Sequence, residues 1–441
     1  MSKSIEISEK MSSFNKKISV TSDKSISIRC VLLASQAIGV SKIYNLLESE
    51  DVLNTLKCIK KLGIKYKKID GYYKIFGYGI NGFNTNKNLK IDAGNSGTLA
   101  RLILGLLVNT KKQVLLKGDS SLSKRDFSRI TEPLKLFGAN IISKNKKLPV
   151  KIIGTKFLRP ISYFEKLGSA QCKSAVMLAA TKTDGITKIK AKKSRNHTEL
   201  LFKYLGINIK TINKKNYDYI NIKGPCNFQC FNYKVPGDIS SSAFFLVLSI
   251  LGKKSKVLIR NVNINNSRMG IINILNKMNA NIKLKNKKIY KGEKIADIFV
   301  KSTNKLKAIN CPEKLNSSAI DEFLIIFLVA AKAKGVSIFK NLGELNKKES
   351  PRLDIATNIL KKIGIKIERS SNNLKIYGNP NINLTGKYII KNFRKDHRVF
   401  MMSCIAALVF GGKWRIYDPS SINTSFPSFL KKIKFLGAKI N

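Results

Sequence analysis

The sequence has few of the residues that build metal sites and disulfide frameworks. Its 441 residues include 2 histidines, 1 tryptophan and 7 cysteines. The cysteines are scattered, and Cys226 and Cys230 form the only close pair. An odd number of dispersed cysteines argues against a disulfide framework, and two histidines argue against a zinc site. We therefore expect a reduced, cytoplasmic protein that needs no metal.

Long apolar runs and targeting signals are also missing. The best candidate for a membrane span, residues 399–411, is shorter than the roughly 20 apolar residues that a spanning helix needs. The segment Met1–Glu6 has no apolar signal core, and no arginine precedes Arg29, which argues against secretory and organellar import peptides. No membrane partner is expected.

Acidic residues are scarce, with 27 Asp and Glu against 82 Lys and Arg and a formal net charge of +55. Such an excess is typical of nucleic-acid-binding proteins. Here, however, lysine is spread over the whole length beside abundant Asn and Ile, which are the residues of A/T-rich codons. Coding bias therefore explains the charge, and we expect no specific nucleic-acid partner. Non-specific adsorption to polyanions at low salt is expected in any case.

What the sequence does contain is a repeat of about 75 residues. In each copy, a polar cluster runs directly into a strongly apolar, helix-like stretch. Such a cluster is typical of a helix N-terminus, because Ser, Thr, Asp and Asn cap helices. The six clusters begin at Ser22, Asn95, Ser169, Asp238, Asp321 and Asp396.

A second amphipathic helix follows about forty residues after each start. It usually ends in a glycine followed by alternating Ile, which predicts a left-handed C-cap. The glycines are Gly63, Gly138, Gly206, Gly364 and Gly437, and the fourth copy has Asn279, the other residue that tolerates this conformation. The chain is predicted to be α/β, with six copies of a strand, helix, strand, helix, strand, strand unit.

The second copy illustrates the detailed prediction. Helix Thr131–Phe137 is expected to be capped by Thr131, with Pro133 in its first turn, where a missing N–H costs little. The expected strands of this copy are Gln113–Lys117, Asn140–Ser143 and Ile152–Gly154.

The six helix starts have an electrostatic consequence. A helix N-terminus offers unpaired N–H groups and a partial positive charge, and it binds phosphate and carboxylate readily. Six ordinary N-caps are the simpler interpretation. Their repetition among lysines and arginines favours a cleft for a polyanionic substrate.

Three segments contain more charged residues than helix capping requires. Residues 344–352 hold two lysines, two acids and an arginine, and Asp396-His397-Arg398 leads directly into an apolar helix. Asp321-Glu322 opens a stretch that is otherwise wholly apolar from Phe323 to Ala331.

With these segments, the chain resembles the family of 5-enolpyruvylshikimate-3-phosphate (EPSP) synthase, or 3-phosphoshikimate 1-carboxyvinyltransferase, from Lys17 to Leu436. The motifs follow the family's order. They are Asp23–Arg29, Gly94–Thr98 with Arg101, Lys124-Arg125 followed by Arg129–Leu134, Ser169–Ala175, Ser194–Glu199, Pro236–Ser241, Asp321-Glu322, Lys348–Arg352, Asp396–Arg398 and Thr424–Pro427.

The resemblance implies the two-domain enolpyruvyl transferase fold, an inverse α/β barrel with three repeated units per domain. One domain is expected at 22–238, with most of the shikimate 3-phosphate contacts. The other is expected at 1–21 plus 239–441, with the Asp321, Lys348–Arg352 and Asp396–Arg398 segments. The active site is expected in the cleft between them.

The implied reaction transfers the enolpyruvyl group of phosphoenolpyruvate to the 5-hydroxyl of shikimate 3-phosphate and releases phosphate, in chorismate and aromatic amino-acid biosynthesis. It needs no cofactor, and the partners are the two small-molecule substrates alone. The two substrates together carry two phosphates and two carboxylates, which suit arginine forks and lysines. We expect a monomer.

The resemblance also implies residue roles. Ser25 and Arg29 bind the shikimate carboxylate, and Ser169, Ser194 and the backbone N–H of Ala170 bind its phosphate. Asp321 or Lys348 deprotonates the 5-hydroxyl. Glu349 and Lys24 act on the methylene group of phosphoenolpyruvate and on the departing phosphate. The full expected set is, for shikimate 3-phosphate, Lys24, Ser25, Arg29, Ser169, Ala170, Gln171, Ser194, Asp321 and Lys348; for phosphoenolpyruvate, Lys24, Gly97, Arg125, Gln171, Arg352 and Arg398; and for catalysis, Lys24, Asp321, Lys348 and Glu349.

Some positions depart from the family's usual residues. Asp126 follows Arg125 where Pro is usual, and we expect its carboxylate to pair with Arg125. Pro351 replaces an Asp and fixes φ beside Arg352, and Leu324 replaces a common Pro. Thr424 stands where some members have a lysine. We expect these changes to affect the catalytic efficiency of the protein more than the identity of its reaction.

Two alternatives remain open. The sister enzyme that transfers enolpyruvate to UDP-N-acetylglucosamine typically uses a cysteine in the loop that corresponds to Gly118–Arg129, and that loop has none here. A non-catalytic polyanion-binding scaffold is the other alternative, although the charged residues of the implied site are all retained.

Overall fold

The computed structural model describes residues 3–441, and its internal contacts divide them into two units. The N-terminal unit comprises Ser22–Pro236 and Tyr290–Glu293. The C-terminal unit comprises the described residues up to Thr21, with Gly237–Ile289 and Lys294–Asn441.

The first three repeats have the predicted order of strand, helix, strand, helix, strand, strand. A further strand, β1 (Ser4–Ile7), precedes them. The first copy has β2 (Asn15–Ile18), α1 (Lys24–Ala34), β3 (Ile38–Tyr44), α2 (Glu50–Lys61), β4 (Tyr66–Ile69) and β5 (Tyr72–Tyr78). The second has β6 (Leu89–Asp92), α3 (Gly97–Leu106), β7 (Val114–Lys117), α4 (Ser128–Leu136), β8 (Asn140–Ser143) and β9 (Val150–Ile153). The third has β10 (Ser162–Glu165), α5 (Ala170–Ala180), β11 (Gly185–Lys192), α6 (His197–Tyr204), β12 (Ile209–Asn213) and β13 (Tyr217–Gly224).

The last three repeats follow the order less completely. The fourth is complete, with β14 (Asn232–Lys234), α7 (Ile239–Leu251), β15 (Lys256–Asn263), α8 (Gly270–Lys277), β16 (Asn281–Tyr290) and β17 (Glu293–Lys301). In the fifth, a short helix stands where the first strand was expected: α9 (Asn316–Ala319), α10 (Phe323–Lys332), β18 (Gly335–Phe339), α11 (Arg352–Lys362), β19 (Ile367–Ser370) and β20 (Asn373–Gly378). The sixth has β21 (Leu384–Ile390), α12 (His397–Phe410), β22 (Gly411–Tyr417) and α13 (Phe429–Phe435). Short 3₁₀ turns lie at Leu122–Lys124, Lys144–Lys146, Asn266–Arg268, Glu313–Leu315, Gly343–Lys347 and Pro419–Thr424.

Residues 3–441 form six small sheets. Five of them combine parallel and antiparallel pairs, whereas β18-β20-β19 of the fifth repeat is wholly antiparallel. The N-terminal unit has sheets in the order β14-β3-β5-β4, β6-β7-β9-β8 and β10-β11-β13-β12. The C-terminal unit has β16-β17-β15-β2, β18-β20-β19 and β1-β22-β21. In the second, third and sixth repeats, the first strand runs parallel to the second, as in β6 and β7, where Leu89 pairs with Val114.

The first and fourth repeats exchange their first strands. β2 pairs with β15, with Asn15 opposite Lys256, and β14 pairs with β3, with Asn232 opposite Lys42. This exchange explains why the described residues up to Thr21 belong to the C-terminal unit, while Asn232–Lys234 belong to the N-terminal unit.

The first helix of each repeat forms the core of its unit. α7, α10 and α12 pack against one another in the C-terminal unit, and every residue of α7 and α12 is buried. In the N-terminal unit, α3 packs against α5 so closely that a Cβ on Gly105 would lie 2.2 Å from the carbonyl oxygen of Ala175. Among residues 3–441, no helix is both long and apolar enough to cross a membrane.

All six predicted helix starts are confirmed. A side-chain oxygen of the N-cap residue accepts a backbone N–H in five of them, the exception being Glu322 at the start of α10. The five capping residues are Asp23, Ser96, Ser169, Asp238 and Asp396.

The predicted C-caps are confirmed as well. Asn279 has φ +67° in the fourth copy. The five predicted glycines also have positive φ, namely Gly63, Gly138, Gly206, Gly364 and Gly437.

The helix start in the second copy was predicted wrongly. α4 begins at Ser128 rather than Thr131, and Pro133 lies inside the helix rather than in its first turn. The cause is Asp126, whose Oδ1 accepts hydrogen bonds from Ser128 N at 2.7 Å and Ser128 Oγ at 2.6 Å. This carboxylate satisfies a free N–H at the helix start and allows the helix to begin one turn earlier.

Candidate active site

Arg29 is a buried cation of the N-terminal unit. Its Nε donates to Thr198 Oγ1 at 2.8 Å, its Nη2 to Ser174 Oγ at 3.0 Å, and its Nη1 to the carbonyl of Ser25 at 3.0 Å. Burial lowers the pKa of Arg29 to about 10. The side chain is thus fixed in orientation by α1, α5 and α6 together.

Lys24 is the first residue of α1 and forms an ion pair with α2. Its Nζ lies 2.8 Å from Asp51 Oδ2, in a place where both side chains are mostly buried. The four-carbon side chain of a lysine is flexible. The ion pair with Asp51 restricts the position of the Lys24 ammonium group.

Gly97 begins α3 at a point where two arginines converge. A Cβ on Gly97 would lie 2.8 Å from Arg101 Nη1 and 3.0 Å from Arg125 Nη1. The first distance is shorter than real Cβ contacts and the second is tighter than most of them, so the absence of a side chain at Gly97 lets both guanidinium groups approach the helix N-terminus.

Gln171 is held from both ends of its amide. Its Oε1 accepts from Arg101 Nη1 at 2.8 Å, and its Nε2 donates to Thr98 Oγ1 at 2.9 Å. Arg101 in turn lies over the ring of Phe127, 5.3 Å from the centroid. The glutamine therefore joins α5 to α3 beside the two arginines.

The Asp126 carboxylate has a different partner from the expected one. The pairing of Asp126 with Arg125 was expected, but Asp126 binds Ser128 at the start of α4. Burial acts to raise the pKa of Asp126, but the hydrogen bonds from Ser128, together with the charges of Arg129 and Lys146, outweigh it and lower the pKa. Arg125 Nη2 instead donates to Asn95 Oδ1 at 3.3 Å.

Ser169 and Ala170 begin α5, and a glutamate shapes the loop before them. Ser169 Oγ accepts from Cys172 N at 3.2 Å. Glu165 Oε2 accepts from the backbone N–H groups of Gly168 at 2.6 Å and Ser169 at 2.9 Å. Burial raises the pKa of Glu165, and these bonds partly offset the effect.

Ser194 lies in the loop between β11 and α6. Its Oγ is buried and has no hydrogen-bond partner among residues 3–441. Close by in sequence, Glu199 Oε1 forms a buried ion pair with Lys173 Nζ at 2.6 Å. This pair holds α6 against α5 on the side where Thr198 binds Arg29.

In the C-terminal unit, Arg352 is enclosed by carboxylates. It is 1% exposed, and its Nε and Nη2 donate to the two oxygens of Asp396 at 2.9 and 3.2 Å. Its Nη2 also lies 2.6 Å from Glu349 Oε2. Burial alone lowers the pKa of Arg352, but the attraction of Asp396 and Glu349 outweighs it and raises the pKa.

Asp321 completes this cluster. Its Oδ1 lies 3.4 Å from both Lys348 Nζ and Arg352 Nη1. Lys348 and Glu349 precede α11, while Asp321 precedes α10, so two helix N-termini meet at this group. The predicted Asp321, Lys348, Glu349 and Arg352 therefore lie together.

Arg398 is held at the same helix ends. Its Nη1 donates to the carbonyl of Asp321 at 2.9 Å and lies 4.0 Å from Glu322 Oε1. Glu322 also accepts from Ser240 at the start of α7. The first helices of all three repeats of the C-terminal unit thus contribute to one polar network.

Three of the unusual positions have structural roles. Pro351 is the N-cap of α11 with φ −71°, and Leu324 is buried in α10. Thr424 Oγ1 lies 3.2 Å from His397 Nδ1.

Each unit therefore gathers its own predicted residues. The N-terminal unit holds Lys24, Ser25, Arg29, Gly97, Arg125, Ser169, Ala170, Gln171 and Ser194, and the C-terminal unit holds Asp321, Lys348, Glu349, Arg352 and Arg398. Residues 3–441 contain no group of three or more His, Cys, Asp or Glu side chains arranged for a metal ion.

Sequence reasoning missed several residues that position these groups. Arg101 had a signal, because it follows Gly97 by four residues and shares its helix face. Ser174, Thr198 and Asp396 lie within the motifs named above but were given no role. Asp51 and Glu165, which are supplied by other elements, had no signal in the sequence.

Comparisons with known proteins agree over nearly the whole chain. The family model described as EPSP synthase (3-phosphoshikimate 1-carboxyvinyltransferase) matches residues 8–433. The 3-phosphoshikimate 1-carboxyvinyltransferase of Ruthia magnifica subsp. Calyptogena magnifica is 40% identical over 425 residues, which are 96% of each chain. That of Caldicellulosiruptor saccharolyticus is 38% identical over 417 residues, 94% of each chain.

Solved structures give the same result for the backbone. The EPSP synthase of Acinetobacter baumannii aligns with a TM-score of 0.88 at 34% identity and covers 99% of both chains. The enolpyruvyl transferase NikO of Streptomyces tendae aligns with a TM-score of 0.77 over 99% of this chain and 98% of its own. At 13% identity, NikO shares the fold alone.

Proposed function

The chain belongs to the EPSP synthase family and catalyses the 3-phosphoshikimate 1-carboxyvinyltransferase reaction, and on this premise we propose which residues carry it out. The reaction moves the enolpyruvyl group of phosphoenolpyruvate to the 5-hydroxyl of shikimate 3-phosphate and releases phosphate, in the shikimate pathway. Both clusters described above are proposed to act on this one pair of substrates.

Shikimate 3-phosphate is proposed to bind mainly to the N-terminal unit. Arg29 and Ser25 take its carboxylate, and the fixed orientation of the Arg29 guanidinium supports a bidentate contact. Ser169, the N–H of Ala170 and Ser194 take its phosphate. The support is that two of these groups begin an eleven-residue helix, where N–H groups and the helix dipole favour an anion.

Phosphoenolpyruvate is proposed to bind to Lys24, Gly97, Arg125, Gln171, Arg352 and Arg398. The support in the N-terminal unit is the close approach of the Arg125 guanidinium to the start of α3 at Gly97. Gln171 lies beside that point and bridges the two substrates.

The proton transfers are assigned to Asp321, Lys348, Glu349 and Lys24. The 5-hydroxyl oxygen attacks C2 of phosphoenolpyruvate and loses its proton to Asp321 or Lys348, which also engage the shikimate hydroxyls. Glu349 and Lys24 give a proton to the methylene carbon, which forms a tetrahedral intermediate. They then remove a proton from the resulting methyl group as the C2–O bond to phosphate breaks, so the enolpyruvyl double bond is restored.

The contact group around Asp321 is the observation that carries this assignment. The Asp321 carboxylate lies 3.4 Å from both the Lys348 ammonium and the Arg352 guanidinium, and a second carboxylate, Glu349, lies 2.6 Å from the same guanidinium. A general base and a general acid are therefore available beside an anion-binding group.

The test is phosphate release by the purified protein at moderate salt. Release is expected only when both substrates are present, and it should fall by at least about a hundredfold in Lys24→Ala and Asp321→Ala, because general acid–base groups contribute roughly 10²–10⁴-fold. Lys361→Ala, which changes an exposed residue of α11, is the control and should keep its activity.

Other outcomes would count against the proposal. Release with UDP-N-acetylglucosamine in place of shikimate 3-phosphate would favour the sister activity. No release with either acceptor would favour the polyanion-binding scaffold. Normal turnover by Asp321→Ala would remove Asp321 from the mechanism.

We further propose that the protein works as a monomer in the cytoplasm. The support for the cytoplasm is that all seven cysteines are free thiols, six of them buried. A reducing compartment favours free thiols. Sedimentation equilibrium at several protein concentrations tests the monomer.

A further inference from the structure

One β-hairpin has its strands in the C-terminal unit and its tip in the N-terminal unit. β16 and β17 are neighbours in one sheet, joined by a two-residue turn in which Lys291 and Gly292 both have positive φ. Such a turn is typical of tight hairpins. The strands belong to the C-terminal unit up to Ile289 and from Lys294, while residues 290–293 belong to the N-terminal unit.

The tip is held by specific contacts rather than by general packing. The Tyr290 hydroxyl accepts from Lys234 N at 2.9 Å, and its ring lies edge-on to Tyr233 with centroids 5.5 Å apart. The Lys291 ammonium lies 4.8 Å from the centre of the Tyr204 ring.

The last residue of the tip makes the most buried polar contact. Glu293 Oε1 lies 2.6 Å from His197 Nδ1, and neither side chain is exposed to solvent at all. A carboxylate without solvent requires a hydrogen-bonding or charged partner. The imidazole therefore has its Nδ1 and its ring orientation set by Glu293.

His197 stands in sequence between Ser194, which is assigned to shikimate 3-phosphate, and Thr198, which contacts the assigned Arg29. It is the first residue of α6. Ser194, with its buried and unpartnered hydroxyl, precedes it by three residues. Thr198, which follows directly, accepts from Arg29 Nε at 2.8 Å. A shift of His197 would move both neighbours.

We propose that Glu293 is a positioning residue for shikimate 3-phosphate. It fixes His197 at the start of α6, and His197 holds Ser194 and the Thr198–Arg29 contact in the arrangement that receives the phosphate and the carboxylate. This inference rests on the proposed roles of Arg29 and Ser194. Glu293 itself does not touch the substrate.

The test compares Glu293→Ala with Tyr290→Phe. Glu293→Ala is expected to weaken the binding of shikimate 3-phosphate at least tenfold. Both its KM and the Kd measured without phosphoenolpyruvate should rise by that factor. The KM for phosphoenolpyruvate should stay within about twofold and kcat within about threefold. Glu293→Gln keeps a hydrogen-bonding group and should lose about threefold in affinity. Tyr290→Phe removes a neighbouring contact of the same tip and should bind shikimate 3-phosphate as the unaltered protein does.

Several results would overturn the inference. Unchanged shikimate 3-phosphate affinity in Glu293→Ala is one, and equal losses for both substrates are another, since they would indicate a general structural effect. An equal loss in Tyr290→Phe would assign the effect to docking of the whole tip. If Glu293→Ala does not fold, Glu293→Gln decides, and full affinity in that variant would contradict the proposal.

The two proposals fail separately. If the unaltered protein releases no phosphate with both substrates, the proposed function fails. If the unaltered protein is active and Glu293→Ala keeps its affinity, only the role of Glu293 fails.

Discussion

At the scale of single residues, the buried charges of the site are organised around arginines. Arg352 and Asp396 form a bidentate pair, and Ser350 Oγ adds a hydrogen bond to Asp396 Oδ2 at 2.8 Å. A buried ion pair adds little stability over apolar packing, but the loss of one partner leaves an uncompensated charge. The pair therefore fixes Arg352 in one orientation at the start of α11.

Asp396→Asn is predicted to cost stability in a pH-dependent way. Burial acts to raise the pKa of Asp396, and Arg352 outweighs it, so the pKa is lowered. A lowered carboxyl pKa stabilises the fold above the ordinary value of about 3.9, and this stabilisation is lost as the pH falls through the folded value. We expect a loss of about 3–5 kcal/mol at pH 7 that shrinks towards pH 3, measured by urea unfolding at each pH.

The control for this prediction is Glu132→Gln. Glu132 forms an exposed pair with Lys135, and such pairs contribute at most about 1 kcal/mol. A loss in Asp396→Asn that is the same at pH 7 and pH 3 would show that the charge of Asp396 is not the cause.

Gly97→Ala is predicted to weaken the binding of phosphoenolpyruvate without unfolding the protein. The added Cβ would lie 2.8 Å from Arg101 Nη1 and 3.0 Å from Arg125 Nη1, so at least one guanidinium must move. We expect the KM for phosphoenolpyruvate to rise about tenfold, which corresponds to about 1.4 kcal/mol, while the Kd of shikimate 3-phosphate stays within about twofold. A KM within twofold of the original would mean that both arginines can adjust freely.

At the scale of elements, the same helix C-cap recurs in all six repeats. Its purpose is geometric, since the chain must turn from the second helix into a strand, and a left-handed residue makes this turn. Gly364 has φ +79°, and a Cβ there would meet no atom within 4 Å. The preference for glycine at this position thus comes from the backbone alone.

Gly364→Ala should therefore lose more stability than Gly364→Asn. We expect alanine to lower the free energy of unfolding by about 1–2 kcal/mol, because its Cβ is strained in the left-handed region. Asparagine should cost less, because Asn279 occupies the same left-handed C-cap position in the fourth copy. The free energy of unfolding in urea is the measurement, with Lys361→Ala as an exposed control expected to stay within about 0.5 kcal/mol. Equal costs for alanine and asparagine would contradict the argument.

The sequence predicted what short-range patterns determine. The six first-helix starts and the C-caps follow from residues close together in the chain, and they are confirmed, as are the α/β class and the enolpyruvyl transferase fold. The predicted order of elements is confirmed in the first four repeats and is incomplete in the fifth and sixth. The start of α4 failed because Asp126, two residues upstream of Ser128, supplied a cap that was assigned to Thr131 instead.

Contacts between distant segments were beyond reach of the sequence. Nothing in β2 or β14 indicates that these strands exchange sheets, and nothing near Glu293 points to His197 across 96 residues. The residue roles implied by the family resemblance stay predictions.

At the scale of the whole molecule, the dominant feature is the net charge of +55. Several cations of the site are paired with carboxylates, as Lys24 is with Asp51 and Arg352 with Asp396. Much of the remaining lysine is exposed, on strands as well as helices. The charge of the surface and the chemistry of the site are therefore separate properties, and salt should distinguish them.

Binding to polyanions is predicted to fade with salt while catalysis persists. A surface that contacts 6–10 phosphates loses about 10³–10⁵-fold in affinity between 50 and 200 mM salt, because counterions are released on binding. Over the same range we expect kcat at saturating substrates to change less than about twofold, because the paired, largely buried groups of the site are weakly screened. The measurements are retention of labelled single-stranded DNA and phosphate release on the same samples. If DNA binding survives 200 mM salt with strong sequence preference, the charge serves a specific nucleic-acid function and coding bias does not explain it.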